Sequence, residues 1–137
     1  MRALDYSPLI MLKLKEDIEQ LAGIFKSMLE NEEKGGDSHY INMLKENFVP
    51  QNNFSATYVL KIDGRDDALI IIIRNGSLNC YFGQLENADV IAKMSIDILD
   101  KIIEGRMTFQ RAFLSGEMTA KGNFKTLRML DDNFVFE

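Results

Sequence analysis

Three observations on this 137-residue chain predict an α+β fold, with helices covering one face of a five-stranded, largely antiparallel sheet. Apolar residues recur at helical spacing in the first third and after Ser95. Between Ala56 and Met94 the period falls to two, as in strands with one buried face. Asn75-Gly76, set between two apolar runs, is the strongest short hairpin signal, because both residues tolerate positive φ.

Taken in order, Ser7 and Pro8 predict a capped helix start, and Met11, Leu14, Ile18, Leu21, Phe25 and Met28 form one apolar stripe of a helix from Pro8 to Glu30. The polar stretch from Glu30 to Asp37 predicts a solvated loop. A second helix follows from Asp37 to Asn47, with Tyr40, Ile41, Met43 and Leu44 on its inner side, and Pro50 with Gln51-Asn52-Asn53 ends it. Ala56, Tyr58, Leu60 and Ile62 alternate as a half-buried strand, and Asp63 to Asp67 make a turn. Ala68 to Ile73 is apolar on both faces and β-branched, which predicts an internal strand covered on both sides. Leu78, Cys80 and Phe82 mark a third strand and Ala88 to Met94 a fourth. Ser95 caps a helix carrying Leu99, Ile102 and Ile103 and stopping at Gly105; Thr108 opens a short helical turn from Phe109 to Phe113. Gly116 to Lys121 is the last strand, and Asn123 caps a final helix with Phe124, Leu127 and Leu130 inside. The chain is thus expected to be one domain, 1–137, with N-terminal helices in 8–47 and the sheet and remaining helices in 54–137.

Sixteen Lys and Arg against twenty-one Asp and Glu leave a net charge of −5 and no basic block, so nucleic acid is not an expected partner. One cysteine, Cys80, and one histidine, His39, exclude an intrachain disulfide, a thiol-rich metal site and a His-pair zinc site. The opening Met1-Arg2-Ala3-Leu4-Asp5-Tyr6 lacks the apolar core of a secretion signal, and the longest apolar run, Ala68 to Ile73, falls far short of the ~20 residues that span a bilayer. These features predict a soluble, cytoplasmic protein. No Gly-rich phosphate loop and no nucleophile–base–orienter set is present, so no catalytic residue, metal or cofactor is expected and the chain reads as non-enzymatic. Cys80, alternating with Leu78 and Phe82, reads as an inert buried thiol, and Asp131-Asp132 as a helix-end pair with no partner.

One segment adds more. Ala88 to Ser95, the helix to Gly105, then Gln110-Arg111-Ala112-Phe113-Leu114-Ser115-Gly116, a strand, and Gly122-Asn123 before the last helix resemble the sterol carrier protein type 2 domain. The family pattern is a glycine ending a helix, a short turn, Gln-x-Ala-Phe-x-x-Gly, a strand, and Gly-Asn or Gly-Asp. The likeness extends over about the whole chain and is most specific from Ala88 to Leu130. The tryptophan common in the second strand of the family is missing, and Phe134-Val135-Phe136-Glu137 stands where some members carry a peroxisomal Ser-Lys-Leu, which favours the cytosol.

The resemblance implies a helical cover over an apolar tunnel that binds, and transfers between membranes, a fatty acid, acyl-CoA, phospholipid or sterol. Leu99, Ile102, Ile103, Leu127 and Leu130 on the two helices are the expected lining, with Met107, Phe109, Phe113 and Met118 between them and Leu60, Ile62 and Phe82 on the sheet side. Periodicity alone fits ordinary core packing equally well. Gln110 is the expected polar contact to a ligand head group, its alternative role being to satisfy backbone groups in its turn. Phe134, Val135 and Phe136 either fold over the tunnel mouth or form an edge strand. The expected partner is a lipid or other apolar small molecule, with transient membrane contact at most. The alternative reading is a protein-interaction or assembly module without lipid transport, forming a homodimer through the helix of residues 8–30; a weaker one is an acyl-CoA sensor or substrate-presenting subunit.

Overall fold

Three strands, β1 (Ser55–Ile62), β2 (Ala68–Arg74) and β3 (Ser77–Gly83), make the antiparallel meander that the alternating sequence predicts. A computed structural model describes residues 36–136 of the chain. At the β2–β3 turn Asn75 and Gly76 both take positive φ, 47° and 83°, the twist that matches paired strands. By compactness the chain divides between His39 and Tyr40, and the whole sheet belongs to the second unit, Tyr40–Glu137. The expected helix from Pro8 to Glu30 lies outside the described residues.

β4 (Val90–Met94) leaves the meander, crosses to the far side of β1 and pairs with it in parallel, Tyr58 opposite Val90 and Ile62 opposite Met94. β5 (Met118–Gly122) then pairs antiparallel with β4, so the order is β3-β2-β1-β4-β5 and the sheet is mixed, with one parallel pairing among four. Side chains alternate between two buried sets. Leu60, Ile62, Leu69, Ile71, Ala92, Met94 and Met118 join the core that the helices cover. Val59, Ala68 and Ile70 lie on the opposite face, where Leu85 and Ala88 of the β3–β4 connection pack against them. β2, an internal strand, is therefore apolar on both sides, as its composition predicts.

Among the described residues four helices supply the cover: α1 (Asp37–Glu46), α2 (Ile96–Ile103), α3 (Phe109–Leu114) and α4 (Phe124–Asn133). Their starts follow local chemistry. Ser95, Thr108 and Asn123 each accept a backbone N–H three residues on, from Ile98, Arg111 and Thr126. α2 closes with two backbone bonds, Gly105 N–H to Ile102 and Arg106 N–H to Lys101, which satisfy carbonyls left open at a helix end. Two buried phenols tie the layers together. Tyr40 of α1 donates to Asp100 Oδ1 of α2, and Tyr58 of β1 donates to the Thr126 carbonyl of α4 at 2.6 Å. Burial, with Asp89 nearby, pushes the Tyr58 phenol well above its ordinary value, so it stays a donor.

The sequence places Gly122 in a turn after the last strand; the structure makes it the last residue of β5, opposite Val90. Its φ is +120°, and a Cβ there would stand 2.1 Å from the carbonyl oxygen of Asp89. Gly122→Ala should therefore cost ~2 kcal/mol or more, read as a lowered midpoint in urea unfolding with the slope unchanged. An unchanged midpoint would contradict the close approach.

Candidate functional site

The residues expected to line a ligand space converge. Leu60, Ile62, Leu99, Ile102, Ile103, Phe109, Met118, Leu127 and Leu130 are buried in one hydrophobic cluster, and Phe82, Met107 and Phe113 pack half-buried against it. Between the end of α2 and the returning C-terminal segment this cluster opens into a pocket of about 130 Å³, bounded by Ile102, Gly105, Met107, Thr108, Asp131, Phe134, Val135 and Phe136. Of the expected lining, Ile102 and Met107 reach it, while Leu60, Leu99, Ile103, Phe109, Phe113, Met118, Leu127 and Leu130 share the cluster without bounding it. Ile62 borders a wide polar depression beside the β1–β2 turn with Lys61, Arg65, Lys93 and Glu117. Phe82 lies edge-on to Tyr40 at 6.4 Å, with the Arg65 guanidinium 4.2 Å over its ring.

The C-terminal segment is held at the pocket by backbone and ring contacts. Val135 N–H donates to Asn47, Val49 N–H donates to Asn133, and Phe48 and Phe134 form an isolated antiparallel bridge. The Phe134 ring lies 5.6 Å from Phe48 and stacks on Phe136 at 6.1 Å. Among the described residues the segment forms this one bridge and no strand of the sheet, and its three residues border the pocket.

Asp131 is the polar group that the sequence reading mistakes for an unpartnered helix-end residue. From α4 its Oδ1 accepts the backbone N–H of Phe109 at 2.8 Å and its Oδ2 that of Gln110 at 2.9 Å. With Thr108 taking Arg111 N–H, the first turn of α3 is capped by two side chains, one of them 22 residues away in the chain. Gln110 thus enters the site through its backbone, while its side chain is exposed on an open groove of about 700 Å³ with Arg106, Arg111, Leu114 and Ser115. That groove and the pocket share Gly105, Met107 and Thr108 as a common wall. Next to Asp131 in the same helix, Asn133 is fully buried; its Nδ2 donates to the Met129 carbonyl, but its Oδ1 has no partner among the described residues.

Burial raises the Asp131 carboxyl above its ordinary 3.8, and the neighbouring Asp132 charge adds to this, against the two backbone bonds that favour the anion. Burial likewise raises the Cys80 thiol, with Lys45 pulling the other way, so Cys80 stays an un-ionised core thiol.

An α+β domain with a mixed five-stranded sheet under a helical cover has the architecture of the sterol carrier protein 2 fold. The SCP-2 sterol transfer family matches residues 50–134, and the chain belongs to that family. Solved structures share the fold. The sterol carrier protein 2 like 2 crystal structure from Aedes aegypti aligns with a TM-score of 0.51 at 15% identity, covering 69% of this chain and 93% of that one. The palmitated form of that mosquito protein gives 0.50 at 14% identity, covering 60% and 74%. The inverting sec-alkylsulfatase Pisa1 from Pseudomonas sp. gives 0.52 at 23% identity, covering 61% of this chain but 13% of the sulfatase. At these identities the likeness is one of fold. No curated protein matches by sequence.

A carboxyl whose folded pKa is raised costs stability in its charged form; the cost is fully present above the folded pKa and is relieved as pH falls towards 3.8, its ordinary value. Urea unfolding of the wild type and Asp131→Asn should therefore differ by an amount that moves in favour of the wild type as pH is lowered through that window. A difference independent of pH between 7 and 4 would contradict the raised carboxyl.

Proposed function

We propose that this chain is a non-catalytic binder, and carrier, of a lipid with an unbranched apolar chain, whose end seats in the pocket between α2 and Phe134–Phe136. Family membership supports lipid binding or transfer as the class of function. The observation that carries the ligand chemistry is the wall of that pocket: Ile102, Met107, Phe134, Val135 and Phe136 are apolar, while Asp131 and Thr108, which already take the N–H groups of Phe109, Gln110 and Arg111, supply its polarity together with Gly105. Nothing in the wall calls for a polar partner along the chain of a ligand. The palmitated state of the mosquito relative supports a fatty acyl chain as the probe to try first.

Size sets what the pocket can do. An apolar cavity of ~150 Å³ holds a benzene ring, so about 130 Å³ accepts only the last few methylenes of a long chain. Each methylene removed from water contributes ~0.8 kcal/mol, which gives a 16-carbon chain a strong drive to bury more than its tip. Met107 and Phe136 are half-buried and can swing towards solvent to admit the rest. Methionine suits this place because its unbranched thioether adapts to chains of different shape. Gln110 and Arg111 line the adjoining groove, where a polar head left outside would meet them.

A thermal-shift series with saturated fatty acids of increasing length tests the reading. Stabilisation should grow with chain length, reaching ~2.7 kcal/mol at a hundredfold excess over Kd, and Met107→Trp, which fills the pocket, should abolish it while leaving the apo melting temperature near that of the wild type. Equal shifts for wild type and Met107→Trp, or none for any fatty acid, acyl-CoA, phospholipid or sterol, would overturn it.

A further inference from the structure

We propose that the α3–α4 face is a docking surface for an anionic lipid membrane, placed so that a chain leaving the bilayer meets the Met107 wall of the pocket. This deepens the lipid-carrier reading and rests on it. Two observations carry it independently of the pocket. Leu114 at the end of α3 is 73% exposed and Phe124 at the start of α4 is 62% exposed, the two most exposed large apolar side chains among the described residues. One such residue needs no explanation, but these two belong together. The Phe113 and Phe124 rings lie 5.5 Å apart at one end of the helix pair, and Asp131 meets Phe109 and Gln110 at the other, so α3 and α4 run antiparallel and side by side.

Charge gives the second observation. The chain as a whole is acidic at −5, yet from Gly105 to Leu130 it carries Arg106, Arg111, Lys121, Lys125 and Arg128 against Glu117 alone. Arg106 is taken up by Glu104 at 2.6 Å. Arg111 stands one helical turn before Leu114, and Lys125 and Arg128 stand next to and one turn after Phe124; all three are exposed. The opposing charges on α4 are Asp131, already engaged by the Phe109 and Gln110 N–H groups, and Asp132, both in the last turn of the helix. Apolar side chains ringed by cations suit an interface with anionic head groups, where acyl tails take Leu114 and Phe124 and phosphates take the cations. A nucleic acid would use the cations and leave the leucine without a partner. The groove beside Leu114 runs to Gly105, Met107 and Thr108, the wall it shares with the pocket, so docking would set the pocket at the membrane surface.

The chain contains no tryptophan, so Leu114→Trp puts a single reporter on this face and Tyr81→Trp one on strand β3, away from it. With phosphatidylcholine vesicles containing phosphatidylglycerol, the Leu114→Trp emission should shift to the blue and the Tyr81→Trp emission should not. The shift should vanish on pure phosphatidylcholine and weaken with salt. Lys125→Glu and Arg128→Glu should each weaken vesicle binding at least about fivefold, the equivalent of ~1 kcal/mol per cation at an anionic surface. Both should keep the wild-type thermal shift with decanoate, which reads the pocket without a membrane and so separates failure of docking from failure of lipid binding. An unchanged Leu114→Trp emission on anionic vesicles, or equal shifts for both reporters, overturns the proposal, and so does a face that proves to bind an acidic polypeptide but no vesicle.

Discussion

Asp89, just before β4, holds the junction on which the remaining architecture depends. Its carboxylate accepts the Thr57 N–H at 2.8 Å and its own N–H donates to the Thr57 carbonyl at 2.9 Å, which fixes β4 alongside β1 in parallel register. Its carbonyl accepts the Asn123 N–H and lies where a side chain on Gly122 would fall. One residue thus sets the start of β4, the end of β5 and the start of α4. Because β4 runs parallel to β1 and leads directly into α2, the chain turns onto the covered face at Ser95, and Ile98, Leu99, Ile102 and Ile103 close over Leu60, Ile62 and Met94. The pocket lies at the margin of that cover, where α2 has ended and α3 has yet to begin.

The same margin explains the mixed character of the site. Groups at the edge of a core meet both hydrocarbon and water, and Asp131 shows the balance: half-buried, raised in pKa by that burial, yet held by two backbone donors that make its anion tolerable. It stiffens the start of α3, next to Thr108 in the wall common to pocket and groove. A site with its rigid side on helix termini and its soft side on Met107 and Phe136 suits a flexible hydrocarbon better than a ligand that needs several fixed hydrogen bonds.

How much of this was legible in the sequence varies with range along the chain. The caps at Ser95, Thr108 and Asn123 and the Asn75-Gly76 turn depend on neighbours within three or four residues, and all form as predicted. The two-sided burial of β2 was readable because its run from Ala68 to Ile73 holds no polar residue and so has no face to spare for water. The parallel partner of β4 was not readable, since Asp89 reads as one more loop carboxylate until Thr57 is beside it. Asp131 failed as an isolated reading for the same reason, its partners being 21 and 22 residues away. The expected lining was found as a cluster, but period marks only which side of an element is buried; where the cluster stops being filled is set by packing between α2 and Phe134–Phe136.

Methyl NMR on protein labelled at methionine Cε and isoleucine Cδ1, titrated with deuterated palmitate, reads the occupancy of the pocket itself. Met107 and Ile102 should shift together and saturate at one equivalent, with Met129, which does not border the pocket, unmoved. If Met107 and Ile102 stayed in place at saturating ligand, or if shifts were confined to the outer surface, no hydrocarbon would be entering this fold and the lipid-carrier account would be wrong.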